Sequence, residues 1–472
     1  MKKIQINCFV ATVVILLAFD VVFTTTLFAG GDKYSPRLVG MGRAFTAFSR
    51  GLDAVGVNPA NLALNDRDAT VTINIVPIGF SIGSDMINLQ IYNDFFTGVD
   101  DGAGNRVPKF LTDEDKDKIL ELFPSGIANT QLRLETAPIG VSLQFGDFGL
   151  AIVPSVQTAL NLDLDKAYLE FPLRGYPAGK SYNFDNTAIN GQSVFEVNFS
   201  VGYLLPLELP FTSDIAVGIG VKYLNGLAFI ATDHYNASIV PEVINNPDGS
   251  QSNGATVANF DFLQWAAVVD EKNPTQPAGT GLGFDVGVSM RLLEDIQFAV
   301  SVTDIGKISW DKNTKAIIGN ASLRLESVGD TANQNKLKEA FKGKTVDTTG
   351  FEFALPTAVN VGAAIQMDDM FDVIPFRWLV AVDGHFGLNE IGGNTKLPQF
   401  SIGTELDPLA GWLPLRTGIT IGGRERFAWS AGFGLHFANT FDLDFATQSI
   451  ALLTNPETFR TGSFTMGMRL RF

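Results

Sequence analysis

The sequence is almost without cysteine and histidine. Its 472 residues include one cysteine, Cys8, and three histidines, His234, His385 and His436. A single cysteine forms no internal bridge, which excludes a disulfide scaffold. Neither a cysteine set nor a His-x-x-x-His spacing is there to build a zinc site, so no metal and no cofactor is expected. Charge is sparse at 18% of residues, and 34 Lys+Arg against 50 Asp+Glu leave −16. That balance repels phosphate and excludes nucleic acid as a partner. Disorder is excluded by the 46% hydrophobic fraction, which is too high for a chain that cannot bury a core. Long apolar runs are also missing. Beyond the N-terminus no stretch reaches the roughly 18 apolar residues of a membrane-spanning helix.

The N-terminus carries its own pattern. Lys2 and Lys3 precede an apolar run from Cys8 to Phe28, which is broken by Asp20 and followed by Ala29-Gly30-Gly31. Basic start, apolar centre and small residues are the order of a secretory signal peptide, with cleavage expected near Ala29. Residues 1–29 are read as that signal.

What remains alternates. Leu282, Phe284, Val286, Val288 and Met290 fall on one face, and Gly283, Asp285, Gly287, Ser289 and Arg291 on the other. Phe427, Trp429, Ala431, Phe433, Leu435 and Phe437 likewise oppose Ala428, Ser430, Gly432, Gly434 and His436. A period of two means strands. Fourteen such segments start near Val71, Thr136, Phe148, Val194, Asp214, Gly281, Ile296, Pro356, Phe376, Gln399, Pro414, Arg426, Thr440 and Ser463. Short connections at Gly146-Asp147, Leu293-Glu294-Asp295 and Ala438-Asn439 alternate with long ones near 81–135, 161–192, 227–280 and 307–355. An even strand number with short turns at one end and long loops at the other is the layout of an outer-membrane barrel. A charge facing lipid costs roughly 2–4 kcal/mol near the midplane. The strand-borne Asp285, Arg291, Asp383, His385, Glu405, Arg416 and His436 are therefore assigned to the lumen.

The chain closes on Phe464, Met466, Met468, Leu470 and Phe472 at alternate positions. This ending resembles the C-terminal signal read by the barrel assembly machinery. Residues 40–63 contain Gly40-Met41-Gly42-Arg43-Ala44-Phe45 and then Val57-Asn58-Pro59-Ala60-Asn61. This resembles the opening of the FadL-type barrels, the long-chain fatty acid transporter superfamily. It is nearer to the relatives that include the outer-membrane shuttle protein of the type IX secretion system. Further echoes lie at 281–310, 355–362 and 400–407. The resemblance implies an all-β fold: a transmembrane antiparallel β-barrel of about 14 strands over 71–472, with an N-terminal hatch of residues 30–70 in the lumen. Gly40, Gly42, Asn58, Pro59 and Ala60 form the hatch motif. Arg43 and Asn61 depart from it, since many members carry Gly there.

Two helices are expected in the loops: one after Thr112-Asp113-Glu114-Asp115, a capping-box-like start, and one over 333–341. Asp383 and His385 share a lumen face, but no third partner is fixed by spacing, so an enzyme is not expected. Gly175–Ser181 is one residue short of a phosphate loop, and Asn161-x-Asp163-x-Asp165 lacks the Gly and Glu of a calcium loop. The expected function is a FadL-like channel for hydrophobic small molecules in the outer membrane. The alternative is a shuttle or scaffold that does not transport and serves secreted or surface proteins. Expected partners are outer-membrane lipid, the assembly machinery, and either a lipophilic small molecule or exported proteins.

Overall fold

The structure, a computed structural model, describes residues 33 and 35–472, apart from 65–68, 87–88, 101, 124–125, 208, 211, 293–295, 327, 329, 372, 410, 438–439 and 451–459. The signal-peptide reading of residues 1–29 and the turns at 293–295 and 438–439 lie outside the described residues.

Fourteen antiparallel strands make the wall. They are β1 (Val71–Ser84), β2 (Ile127–Thr136, then Ile139–Phe145), β3 (Phe148–Asp165), β4 (Ala188–Leu204), β5 (Thr212–Asn245), β6 (Gly279–Leu292) and β7 (Ile296–Trp310). They continue as β8 (Phe351–Ala354, then Ala358–Gln366), β9 (Arg377–Gly387), β10 (Gln399–Asp407), β11 (Leu415–Gly422), β12 (Arg426–Phe437), β13 (Phe441–Thr447) and β14 (Thr461–Arg471). Each pairs with the next, and β14 returns to β1 with Thr72 opposite Arg471 and Phe80 opposite Phe464. The ring is closed.

The wall is inside out relative to a soluble protein. On β6, Leu282 is 53% exposed while Asp285 is 0% exposed. On β12, Trp429 is 50% exposed while Ser430 is 0% exposed. Apolar side chains face outward and polar ones inward, which is stable only where the outer solvent is lipid. This is an outer-membrane barrel. By the usual rule, the short-turn end faces the periplasm and the long connections face outside.

The second segment begins at Ile127, earlier than Thr136, because Ala137-Pro138 interrupts one strand that runs from 127 to 145. Much of the long outer connections is ordered. β5 runs for 34 residues, roughly 110 Å at about 3.3 Å per residue, far more than a membrane needs. Its outer half pairs with a strand at Gln251–Val268, which pairs with another at Thr314–Leu325. Helices α1 (Ala167–Arg174) and α2 (Thr331–Lys342) contribute to the aromatic core of this outer sheet, which includes Tyr168, Phe184, Tyr235, Phe260, Phe262 and Phe341. The helix after Thr112 forms over Asp113–Leu120 with a true capping box: Asp115 N donates to Thr112 Oγ1 at 3.2 Å, and Thr112 N donates to Asp115 Oδ2 at 3.0 Å.

Candidate functional site

Residues 35–64 are mostly buried against the inward faces of the wall. Their neighbours on the wall are buried polar, glycine and apolar positions such as Ala137 and Val153, not the exposed apolar ones, so the segment sits inside the barrel. Ser35 caps a one-turn helix at Pro36–Gly40, where Pro36 fixes the first turn and its missing N–H costs nothing. Asn58 caps the 3-10 turn Pro59–Ala63: its Oδ1 accepts from Ala60 N at 3.1 Å, and its Nδ2 donates to the Val288 carbonyl of β6 at 3.2 Å. Asn61 knits the segment to itself through the Thr46 carbonyl at 2.9 Å and Ser49 Oγ at 2.8 Å.

Wall glycines make the seat. A Cβ on Gly202 would stand 2.8 Å from both the Ala63 nitrogen and the Pro59 oxygen, and one on Gly287 would collide with Asn58. Gly403 and Gly418 do the same for Met41, and Gly432 lies against Gly40. Gly42 holds φ +61°, where its missing side chain also spares Gly418.

Charges lock the seat. Arg37 donates to both oxygens of Glu405, at 2.6 and 2.9 Å. Glu405 accepts from Arg416 Nε at 2.5 Å, and Arg416 reaches Asp444 at 2.6 Å. His436 Nε2 lies 3.2 Å from Asp444, and Arg471 bonds Asp442 at 2.7 Å. Asp53 accepts from Nη1 and Nη2 of Arg469, the first at 2.6 Å. Lys33 lies 3.3 Å from Glu196 and 3.5 Å from Glu135. Asp383 accepts from the backbone N–H groups of Phe45 and of Thr46, the latter at 2.7 Å.

Asp285 pairs with the fully buried Lys222 at 2.8 Å, and Lys222 also holds Asp304 at 2.6 Å. Arg291 is half-exposed at the periplasmic rim and pairs with Asp214 at 2.9 Å. His385 Nδ1 lies 2.7 Å from Asn360 Oδ1. His436, Asp442 and Asp444 converge closely enough to hold a cation, but Arg416 and Arg471 already occupy the two carboxylates. The arrangement is an ion-pair relay. Asp163 pairs with Arg424, and Asp165 Oδ1 accepts from Ala167 N at the start of α1, so the calcium-like spacing serves a strand end. Gly40, Gly42, Asn58, Pro59 and Ala60 all lie in the seated segment. Phe464, Met466, Met468, Leu470 and Phe472 lie on or just beyond β14, the strand that closes the ring.

Sequence reasoning did not single out Arg37, Asp53, Lys33 or Arg469. The available signal was charge inside a segment rich in small and apolar residues, and Arg469 on the polar face of the final strand. A cavity of about 70 Å3 lies between the seated segment and β7–β10, lined by Lys33, Arg43, Thr46, Asp383, His385 and Ser401.

The family described as "Family of unknown function (DUF5723)" matches residues 59–444. The chain belongs to this family. No curated protein matches the chain. Among solved structures, this DUF5723 barrel is similar to the Ralstonia pickettii toluene transporter TbuX, with 10% identity, coverage of 94% of this chain and 99% of that one, and a TM-score of 0.47. It is also similar to a Pseudomonas aeruginosa FadL homologue, with 10% identity, coverage of 95% and 100%, and a TM-score of 0.45. The fourteen-strand ring of the DUF5723 chain stands on its own strand pairing.

Proposed function

We propose that this barrel passes a small apolar molecule from its lumen sideways into the membrane, with residues 35–64 acting as a movable hatch. One observation carries the reading. Three neighbouring strands each place a proline in the same band of the wall. The register of β1 shifts at Val76-Pro77, where Val76 takes φ +41°, a strained value for a β-branched residue. Opposite it, β2 breaks at Ala137-Pro138. Pro154 of β3 lies between the Val156–Thr136 and Ile152–Val141 pairs, level with the break. Each proline removes a ladder donor. The bulge is spanned by Val76 N to the Pro138 oxygen and Ala137 N to the Pro77 oxygen, both at 3.3 Å.

Both sides of the band are apolar. Inside, Leu52, Ala54, Val55 and Leu62 of the hatch pack on Ala137, Ala151 and Val153. Outside, Val76, Ile139 and Ile152 are exposed. An apolar solute leaving by this band would displace one apolar patch.

The test uses a Leu52→Cys, Gly140→Cys pair with Cys8→Ser. A Cβ on Gly140 would lie 3.4 Å from the Leu52 side chain, so oxidation should staple the hatch over the band. Uptake of labelled long-chain fatty acids, alkanes and monoaromatics should fall at least tenfold on oxidation and recover on reduction. Unchanged uptake of a substrate that the unmodified barrel imports would sink the proposal.

The outer sheet favours a second reading, docking of exported proteins. It carries an exposed polar face of Asn236, Asn259, Asp261, Asn320 and Ser322 well beyond the wall. Here removal of the sheet should release a co-purifying protein and leave uptake intact. The final strand is proposed as the signal read by the assembly machinery. Deleting Phe472 should lower the amount of barrel in the outer membrane several-fold, measured by heat-modifiable migration on gels; an undiminished amount would refute it.

A further inference from the structure

We propose that loop 388–398 and turn 422–426 form an outer gate across the barrel mouth, with Arg424 as its lock. The gate controls what reaches the lumen from outside, whatever the cargo and wherever it leaves.

The loop between β9 and β10 does not extend away from the membrane. It crosses the lumen to β2, β3 and β4, on the far side of the ring. Asn161 Nδ2 of β3 donates to the Ile391 carbonyl at 3.1 Å, and Arg133 Nη1 of β2 donates to the Gly393 carbonyl at 3.2 Å. Gly392 sits so close to β4 that a Cβ there would stand 2.8 Å from Gly191 Cα. Asn394 is 3% exposed and Thr395 is 9% exposed, unusual burial for polar residues in an external loop.

The loop is braced as a rigid bar. Glu390 Oε2 accepts from Thr395 Oγ1 at 3.0 Å and from Lys396 N at 2.9 Å. Asn389 Nδ2 donates to the Leu355 carbonyl at 2.6 Å, and Asn394 Nδ2 donates to the Thr357 carbonyl at 3.0 Å.

Arg424 pins the bar to the opposite wall. It sits on the turn between β11 and β12, and its guanidinium grips Asp163 with two nitrogens at 2.6 and 3.1 Å. One of those nitrogens also holds Glu390 at 2.7 Å, and the other reaches Asn129 at 3.3 Å. One side chain thus joins β2, β3, the loop and its own turn. Burial alone would lower the Arg424 pKa, but Asp163 and Glu390 outweigh it and hold it above its usual value, as paired charges do.

The neighbouring Glu425 accepts from Gln131 at 3.2 Å and from Gln448, so the turn is tied twice. A cavity of about 230 Å3 opens beside the lock, lined by Asp85, Asn129, Gln131, Arg424, Glu425 and Arg460. The loop leaves β9 two residues after His385 and enters β10 at Gln399, and both of these line the 70 Å3 chamber. The gate therefore roofs the chamber whose opposite side is the hatch.

The experiment is thiol accessibility in intact cells. Ser401, 8% exposed in the chamber wall, is changed to Cys in a Cys8→Ser background and labelled with a membrane-impermeant maleimide. Asn259→Cys on the exposed outer sheet is the reference. Arg424→Ala should raise the labelling rate at position 401 at least tenfold and leave position 259 unchanged. Asp163→Asn with Glu390→Gln removes the same lock from the other side and should do likewise; it carries the test if Arg424→Ala fails to assemble. Equal rates at position 401 with and without the lock, in barrels that migrate as folded, overturn the proposal.

Discussion

Arg37, Asp53 and Lys33 are three of the charges in a segment rich in small and apolar residues, and each finds its counter-charge on the wall. Removing one partner of a buried pair leaves the other desolvated and alone, which costs about 3–5 kcal/mol. Asp53→Ala should therefore unseat the lumenal segment around 51–54 and leave the wall intact. Limited proteolysis should cut within residues 45–64, while heat-modifiable migration is unchanged. Exchanging the charges, Asp53→Arg with Arg469→Asp, should restore part of the protection. A segment as resistant in Asp53→Ala as in the unmodified chain would show that glycine packing alone seats it. At this scale the sequence was legible where chemistry is local. Gly40, Gly42 and the Asn58-Pro59-Ala60 turn announce close backbone approach and a cap. Arg37 and Asp53 did not announce themselves, because a charge is understood only through its partner, and theirs lie on β10 and β14.

Single elements show the two solvents the chain must satisfy. Near the membrane, β5 exposes Ile219, Val221 and Tyr223, whereas its outer half exposes Asp233, Asn236 and Glu242 and buries Tyr235, Ala237 and Ile239. The same period of two serves lipid below and water above, so alternation marks strands without saying which solvent each face meets. The strands at Gln251–Val268 and Thr314–Leu325 read as long connections for this reason: an even ring was complete without them. The start of β2 was hidden by Pro138, which interrupts a strand that the ring treats as continuous. Prolines in the β1–β3 band also predict its dynamics. Hydrogen exchange at residues 75–78 and 136–139 should be at least tenfold faster than in the unbroken β9–β10 pairing, since missing donors lower the cost of local opening. Equal protection in both places would mean that the band is no weaker than the rest of the wall.

The whole molecule divides into a ring and an outer superstructure that hangs from paired residues. Gly226 on β5 is already opposite Gly279 on β6, and Trp310 on β7 is already opposite Phe351 on β8. Apart from Ala228–Ala231, which still pair with β4, most of the described residues between those pairs project beyond the wall. Replacing 227–278 and 311–350 with short Gly/Asn turns should give a barrel that still closes and still migrates as folded on unheated gels. Loss of the folded band would show that the aromatic core of the outer sheet is needed for the ring.

The ion pair between Asp53 and Arg469 joins residues 416 positions apart, and its second member lies on the strand that completes the ring. Synthesis delivers residues 35–64 first, yet their last anchor arrives only with the final strand. The seat of this segment is therefore finished only once the ring is, as a cask holds its contents only when the last stave is in. A chain truncated before β14 has neither a closing seam nor a mate for Asp53. Completion of the wall and completion of the seat thus rest on the same strand, and an unfinished barrel is also one with a loose interior.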